Sequence, residues 1–133
     1  MKSCLIVIDV QESFRHRPYF DAAALSTYLA SQNALITAAL ADQVPVVRVL
    51  HADEPDTPDN PFSHASGLVR PLDGLVPFEA ALTVHKARHS ALVGTGLDVG
   101  LVQHGIGRVV ISGIRTEQCC ETTTRHASDL GWE

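Results

Sequence analysis

Apolar and polar positions along this chain switch between two periods, and each switch marks a new element. Cys4 to Val10 is a near-continuous apolar run interrupted only by Asp9, as in a strand covered on both faces. From Asp21 to about Ala41, Leu25, Leu29, Leu35, Ile36 and Leu40 recur at helical spacing in an alanine-rich segment. Val44 to Leu50 predicts a second strand, with Pro45 at its beginning because proline cannot donate to a ladder. Residues 51–80 keep no period and hold five prolines, so they predict a long loop, a feature usually functional or disordered. Leu82 to His85 predicts a short strand. Thr95 to His104 predicts a helix with Leu97, Leu101 and Val102 on one side and Gly105 as its stop.

The final unit is the most informative. Val109, Val110 and Ile111 form a β-branched run ending at Ser112, and Gly113 punctuates it. Thr116 fits an N-cap with Glu117 beside the positive end of the helix dipole. The helix that follows, Glu117 to Leu130, presents Cys120, Thr123 or Thr124, Ala127 and Leu130 on one stripe toward the core. Strands alternating with helices over residues 1–133 predict one α/β domain with a parallel sheet and right-handed crossovers. Gly131-Trp132-Glu133 halts the helix where the alternation requires another strand. The pattern therefore predicts a sheet truncated at its C-terminal edge.

Composition narrows the function classes. A net charge of -5 and a pI of about 5.7 leave no basic footprint, which argues against nucleic acid. No apolar run approaches the ~20 residues that span a bilayer, so no membrane partner is expected. Three cysteines, two of them adjacent and none in a Cys-x-x-Cys pair, fit neither a disulfide framework nor a zinc site and point to a reducing cytoplasm.

The chemistry gathers at strand ends, where open parallel sheets bind ligands. Asp9, Lys86 and Cys119 each end or follow a predicted strand, so one sheet brings all three to one edge. Taken singly, each has a plain alternative: a turn cap for Asp9, a solvated amine for Lys86, a buried thiol for Cys119. Cys4 and Cys120 take the buried reading outright. Together the three form a catalytic set. The ammonium and the helix N-terminus favour a thiolate, the carboxylate accepts the thiol proton, and the sulfur attacks an acyl carbon.

Four stretches carry a resemblance to the cysteine hydrolases of the isochorismatase-like superfamily, which includes nicotinamidases and N-carbamoylsarcosine amidases. Leu5-Ile-Val-Ile-Asp9-Val-Gln11-Glu-Ser-Phe14 is similar to the family's aspartate strand, and Lys86 to Leu97 to its lysine segment. Gly105 to Gly113 resembles the strand before the nucleophile. Ile114-Arg115-Thr116-Glu-Gln-Cys119, with Thr123, Ala127 and Gly131, resembles the nucleophile segment. The resemblance implies a three-layer, Rossmann-like α/β/α fold and a triad of Asp9 as base, Lys86 as electrostatic partner and Cys119 as nucleophile. It also implies a cis peptide between Ile114 and Arg115, an oxyanion hole from the N–H groups of Arg115 and Cys119, and Gln11 and Phe14 lining the pocket. The Arg115 side chain either reaches an anionic substrate group or points to solvent.

The implied reaction is hydrolysis of a small amide or ureido C–N bond through a thioester, without a cofactor. The nicotinamidase branch holds a metal through an Asp and two His after the second strand. His51, Asp53, Asp56, Asp59 and His64 do not match that spacing, so no metal is expected. Family members commonly form homo-oligomers, which would cover an exposed sheet edge. Two alternatives stand beside this reading: a catalytically silent ligand-binding member, and a vinyl ether hydrolase of the isochorismatase type, whose members lack the nucleophilic cysteine.

Overall fold

The computed structural model describes all 133 residues. Four strands, β1 (Lys2–Ile8), β2 (Val46–His51), β3 (Leu82–Lys86) and β4 (Ile106–Gly113), form one parallel sheet in the order β3-β2-β1-β4. All carboxyl ends therefore emerge on one side, as the alternation of elements requires. Helices α1 (Ala22–Ala41), α2 (Leu97–Gln103) and α3 (Glu121–Asp129) complete an α/β fold. A buried cluster of Cys4, Ile6, Ile8, Val47 and Val49 meets Leu97 and Leu101 of α2 and Ala127 of α3. Leu5, Val7 and Val46, whose side chains alternate to the other face, pack with Ile36 of α1 and Leu72.

Element identities agree with the sequence pattern, but several faces do not. Val102 is 68% exposed and Leu130 52% exposed, although helical spacing assigns both to the core. In α1, Ile36 is fully buried while Leu35 and Leu40 face solvent. β4 lies at the edge of the sheet, so Val110 is exposed although its β-branched run reads as covered on both faces. Glu133 donates to the Gly107 carbonyl and accepts from the Val109 N–H, bridging both sides of Arg108 as a neighbouring parallel strand does.

The segment after β2 is ordered and folds back over the carboxyl end of the sheet. Phe62, Ser63 and Leu72 are buried within it. The N–H groups of Glu12 and Ser13 donate to the carbonyls of Arg70 and Leu68, and Leu72 N–H donates to Val10. The Glu12 carboxylate adds a bond from Asp73 N–H at 2.7 Å. The polar composition that reads as loop thus serves a roof tied to the Asp9 segment.

Candidate active site

Asp9 leaves β1 in the left-handed region, at φ 56°, where a short polar side chain is tolerated better than a bulky one. That turn aims its carboxylate inward, and the side chain is only 1% exposed. Lys86 is the last residue of β3, two strands away, and its ammonium is fully enclosed. Cys119 comes from beyond β4. There Gly113, at φ 137°, passes so close to β1 that a Cβ would overlap the Ile8 carbonyl oxygen. Only glycine lets the chain turn that tightly over the end of β1, which sets the next segment directly above Asp9.

That segment is a π-helical turn, Thr116–Cys120, leading into α3. Arg115 occupies the cap position with no side-chain cap bond, so Thr116 is not the N-cap that its residue type predicts. The extra residue of a π turn moves the cap back by one, and such turns are frequent at functional sites. The Ile114–Arg115 peptide bond is cis. Ile114 N–H donates to the Ile8 carbonyl, tying the turn to β1. From the far side, Thr123 Oγ1 accepts from Ala91 N–H at 3.0 Å and Ser90 Oγ meets His126 Nδ1 at 2.7 Å. These two bonds dock α3 on the loop after Lys86 and hold the amine and sulfur in register.

The three predicted groups meet. Lys86 Nζ lies 2.9 Å from Asp9 Oδ2 and 3.2 Å from Cys119 Sγ. It also contacts the Arg88 carbonyl at 2.9 Å and His51 Nδ1 at 2.8 Å. An ammonium has three protons, and the sulfur, the carbonyl and the imidazole take them. The Asp9 contact is a charge pair outside hydrogen-bond alignment, and neither carboxylate oxygen has a hydrogen-bond donor. Asp9 is thus a neutralised but unfilled acceptor beside a thiol.

Burial sets the protonation states. The Asp9 carboxyl is pushed above its ordinary range by burial, against the pull of Lys86. The Cys119 thiol is also pushed up, by burial first and by the Asp9 charge second, with Lys86 opposing. This corrects the expectation of a thiolate drawn out by a helix N-terminus. Cys119 is 6% exposed, and the loss of water outweighs the favourable charge nearby. Burial thus favours the neutral thiol, with the Asp9 carboxylate beside it.

A cavity of about 150 Å³ opens onto the sulfur, lined by Asp9, Phe14 and Cys119 together with Arg17, Tyr19, His51, Asp53, Phe62, His89 and Gln118. Phe14 is where the resemblance puts it. Gln11 is not: it is fully buried behind the pocket, donating to the His51 carbonyl at 2.9 Å and accepting from His51 N–H at 2.8 Å. Its amide pairs with the end of β2 as a strand would, which makes it a positioning residue for His51 and removes it from the lining. The Arg115 side chain pairs with Glu117 and lies 4.2 Å over the Tyr19 ring.

Sequence reasoning weighed His51 and Asp53 only as metal ligands and missed Arg17, Phe62 and His89. Lys86 donates to His51 Nδ1, so the neutral ring carries its proton on Nε2, facing Asp53 Oδ2 at 3.3 Å. Burial and the ammonium lower the His51 pKa and keep the ring neutral. Of the remaining loop candidates, Asp56 accepts from Ala65 N–H, Asp59 is exposed and His64 stacks near His85. No group of three or more potential ligands converges, and an ammonium against His51 disfavours a second cation there.

The isochorismatase domain family matches residues 3–133. The uncharacterized isochorismatase family protein YrdC of Bacillus subtilis is 28% identical over 99% of this chain and 69% of its own length. The secreted isochorismatase effector Isc1 of Verticillium dahliae is 26% identical over 98% of this chain and 67% of its own. Among solved structures, the N-carbamoylsarcosine amidase of Thermoplasma acidophilum superposes with a TM-score of 0.83 at 25% identity, covering 100% of this chain and 79% of that one. No helix is long and apolar enough to cross a membrane. The four stretches that resembled a superfamily therefore lie within one domain match, and the chain belongs to the isochorismatase family of hydrolases.

Proposed function

We propose that the chain is a cysteine-dependent hydrolase that cleaves the C–N bond of a small amide or ureido compound through a thioester, with Cys119 as nucleophile, Asp9 as general base and Lys86 as electrostatic partner. The observation that carries this is the single ammonium 2.9 Å from a buried carboxylate and 3.2 Å from a sulfur that opens onto a cavity. Asp9 takes the Sγ proton as sulfur bonds to the acyl carbon, so the neutral thiol needs no prior ionisation. The carbonyl oxygen gains the negative charge and is received by the N–H groups of Arg115 and Cys119. The Arg115 N–H has no acceptor within the protein, consistent with that role.

Protonated Asp9 then returns its proton to the leaving nitrogen, the C–N bond breaks, and ammonia or an amine departs. Water attacks the thioester with Asp9 again as base, releasing the acid and restoring the thiol. Lys86 keeps its charge throughout and balances whichever of Asp9 and Cys119 is anionic. No step draws on a metal or cofactor.

We also propose a single domain, a cytoplasmic setting in keeping with three free cysteines, and self-association. Sedimentation equilibrium tests the last point, and a monomer at all concentrations would refute it. The enzymatic reading is tested by ammonia release from a panel of small primary amides and ureido compounds. Turnover that disappears in Cys119→Ala supports it, and wild-type turnover in that variant overturns it.

A further inference from the structure

The charged side chains lining the cavity are Asp9, Arg17 and Asp53, and they differ in what they touch. Asp9 is paired with Lys86. Asp53 receives hydrogen bonds from Asn60 and contacts His51. The Arg17 guanidinium has no carboxylate within ion-pair distance and no hydrogen-bond acceptor; its one partner is the Phe62 ring, 4.4 Å from Cζ to centroid. Neighbouring arginines are committed elsewhere, Arg15 to Glu12 and Arg115 to Glu117. Phe62 is itself held edge-on against Phe14 at 5.1 Å and His51 at 5.8 Å. A guanidinium held over an immobilised ring face is steadied by the ring while its N–H donors stay unspent.

We infer that Arg17 is a specificity-determining residue that binds a carboxylate of the substrate, and that the substrate class is small amido or ureido acids. This rests on the hydrolase reading above and narrows it. A cavity of about 150 Å³ above the sulfur suits a compact compound of that kind. The carboxylate pairs with Arg17, the one cationic side chain lining the cavity that lacks an anionic partner, and the scissile carbonyl is left for Cys119. The planar fork suits a carboxylate better than it suits a neutral amide.

Two alkylating reagents of nearly equal size test this without knowledge of the natural substrate. Iodoacetate carries a carboxylate and iodoacetamide does not; in both, sulfur displaces iodide and the thiol loses its proton. Rates at Cys119 are read by peptide mass mapping of the full chain, at high ionic strength to screen long-range attraction. The ratio of iodoacetate to iodoacetamide rates is expected to fall about five- to tenfold in Arg17→Gln, the scale of one charge-assisted hydrogen bond at a half-exposed site, and less in Arg17→Lys. An unchanged ratio with Cys119 still alkylated overturns the carboxylate assignment and leaves the hydrolase reading standing. A Cys119 inert to both reagents overturns the two together. Should Arg17→Gln not fold, the wild-type chain decides: N-carbamoylglycine protects Cys119 from iodoacetamide more strongly than its uncharged amide does, and equal protection refutes the inference.

Discussion

Cys119 and Cys120 are chain neighbours, both buried and both on one π-helical turn, yet they occupy different chemical worlds. Cys119 faces Lys86, Asp9 and His89, whose Nδ1 lies 3.8 Å from the sulfur, and it opens onto the cavity. Both sulfurs border the apolar cluster beneath α3, but the Cys120 sulfur has no hydrogen-bond partner there, and burial pushes its thiol up to about 12. Burial raises both thiols, so low solvent exposure does not separate a nucleophile from a packing residue. The difference is an acceptor for the proton and a cation to balance the charge, and only Cys119 has both.

The sharpest way to break this comparison is to delete each sulfur in turn. Cys119→Ala is expected to lose on the order of 10⁴-fold or more in kcat/KM with its circular dichroism unchanged, whereas Cys120→Ala stays within a few-fold, both read by ammonia release. Equal losses would erase the distinction. Lys86→Met removes the cation shared by Asp9 and Cys119. Because that pair is fully enclosed, leaving the carboxylate alone is expected to cost about 3–5 kcal/mol in urea unfolding, together with most of the activity.

A milder probe is pH. In the proposed mechanism the base form of Asp9 is the active one, so kcat/KM is expected to be full above its pKa and lost as pH falls through it. Burial raises that pKa, which places the acid limb above the ordinary carboxylate value of about 3.9. The limb should move higher still in any active variant that weakens the Lys86 contact. An acid limb at or below the ordinary value would contradict the buried-base assignment. The smallest effect belongs to packing: Cys120→Ala should lower stability by about 1–2 kcal/mol through lost contacts in the core, measured by denaturant titration.

The convergence of Asp9, Lys86 and Cys119 was legible because strand ends are. An acid after a β-branched run, a lysine closing a short strand and a cysteine just past a glycine turn need only parallel topology to meet. The surroundings were not legible. Arg17, Phe62 and His51 come together because residues 52–81 fold back on the Asp9 segment, a long-range event with no local period. Gln11 shows the same limit, since its distance from Asp9 along the chain places it near the site while its bonds to His51 turn it away from the cavity. The direction of the Cys119 pKa depended on how much water the fold excludes, which helix position alone does not tell. Val102, Val110 and Leu130 had helical or strand periodicity, but a period marks a face without saying what covers it.

The central claim, that Cys119 alone carries the acyl group, is tested most directly by acid-quenching turnover in the Cys120→Ala background and locating the adduct by tandem mass spectrometry. The account predicts the substrate acyl mass on Cys119, absent when hydroxylamine is added before digestion. An acyl group on any other residue would contradict it.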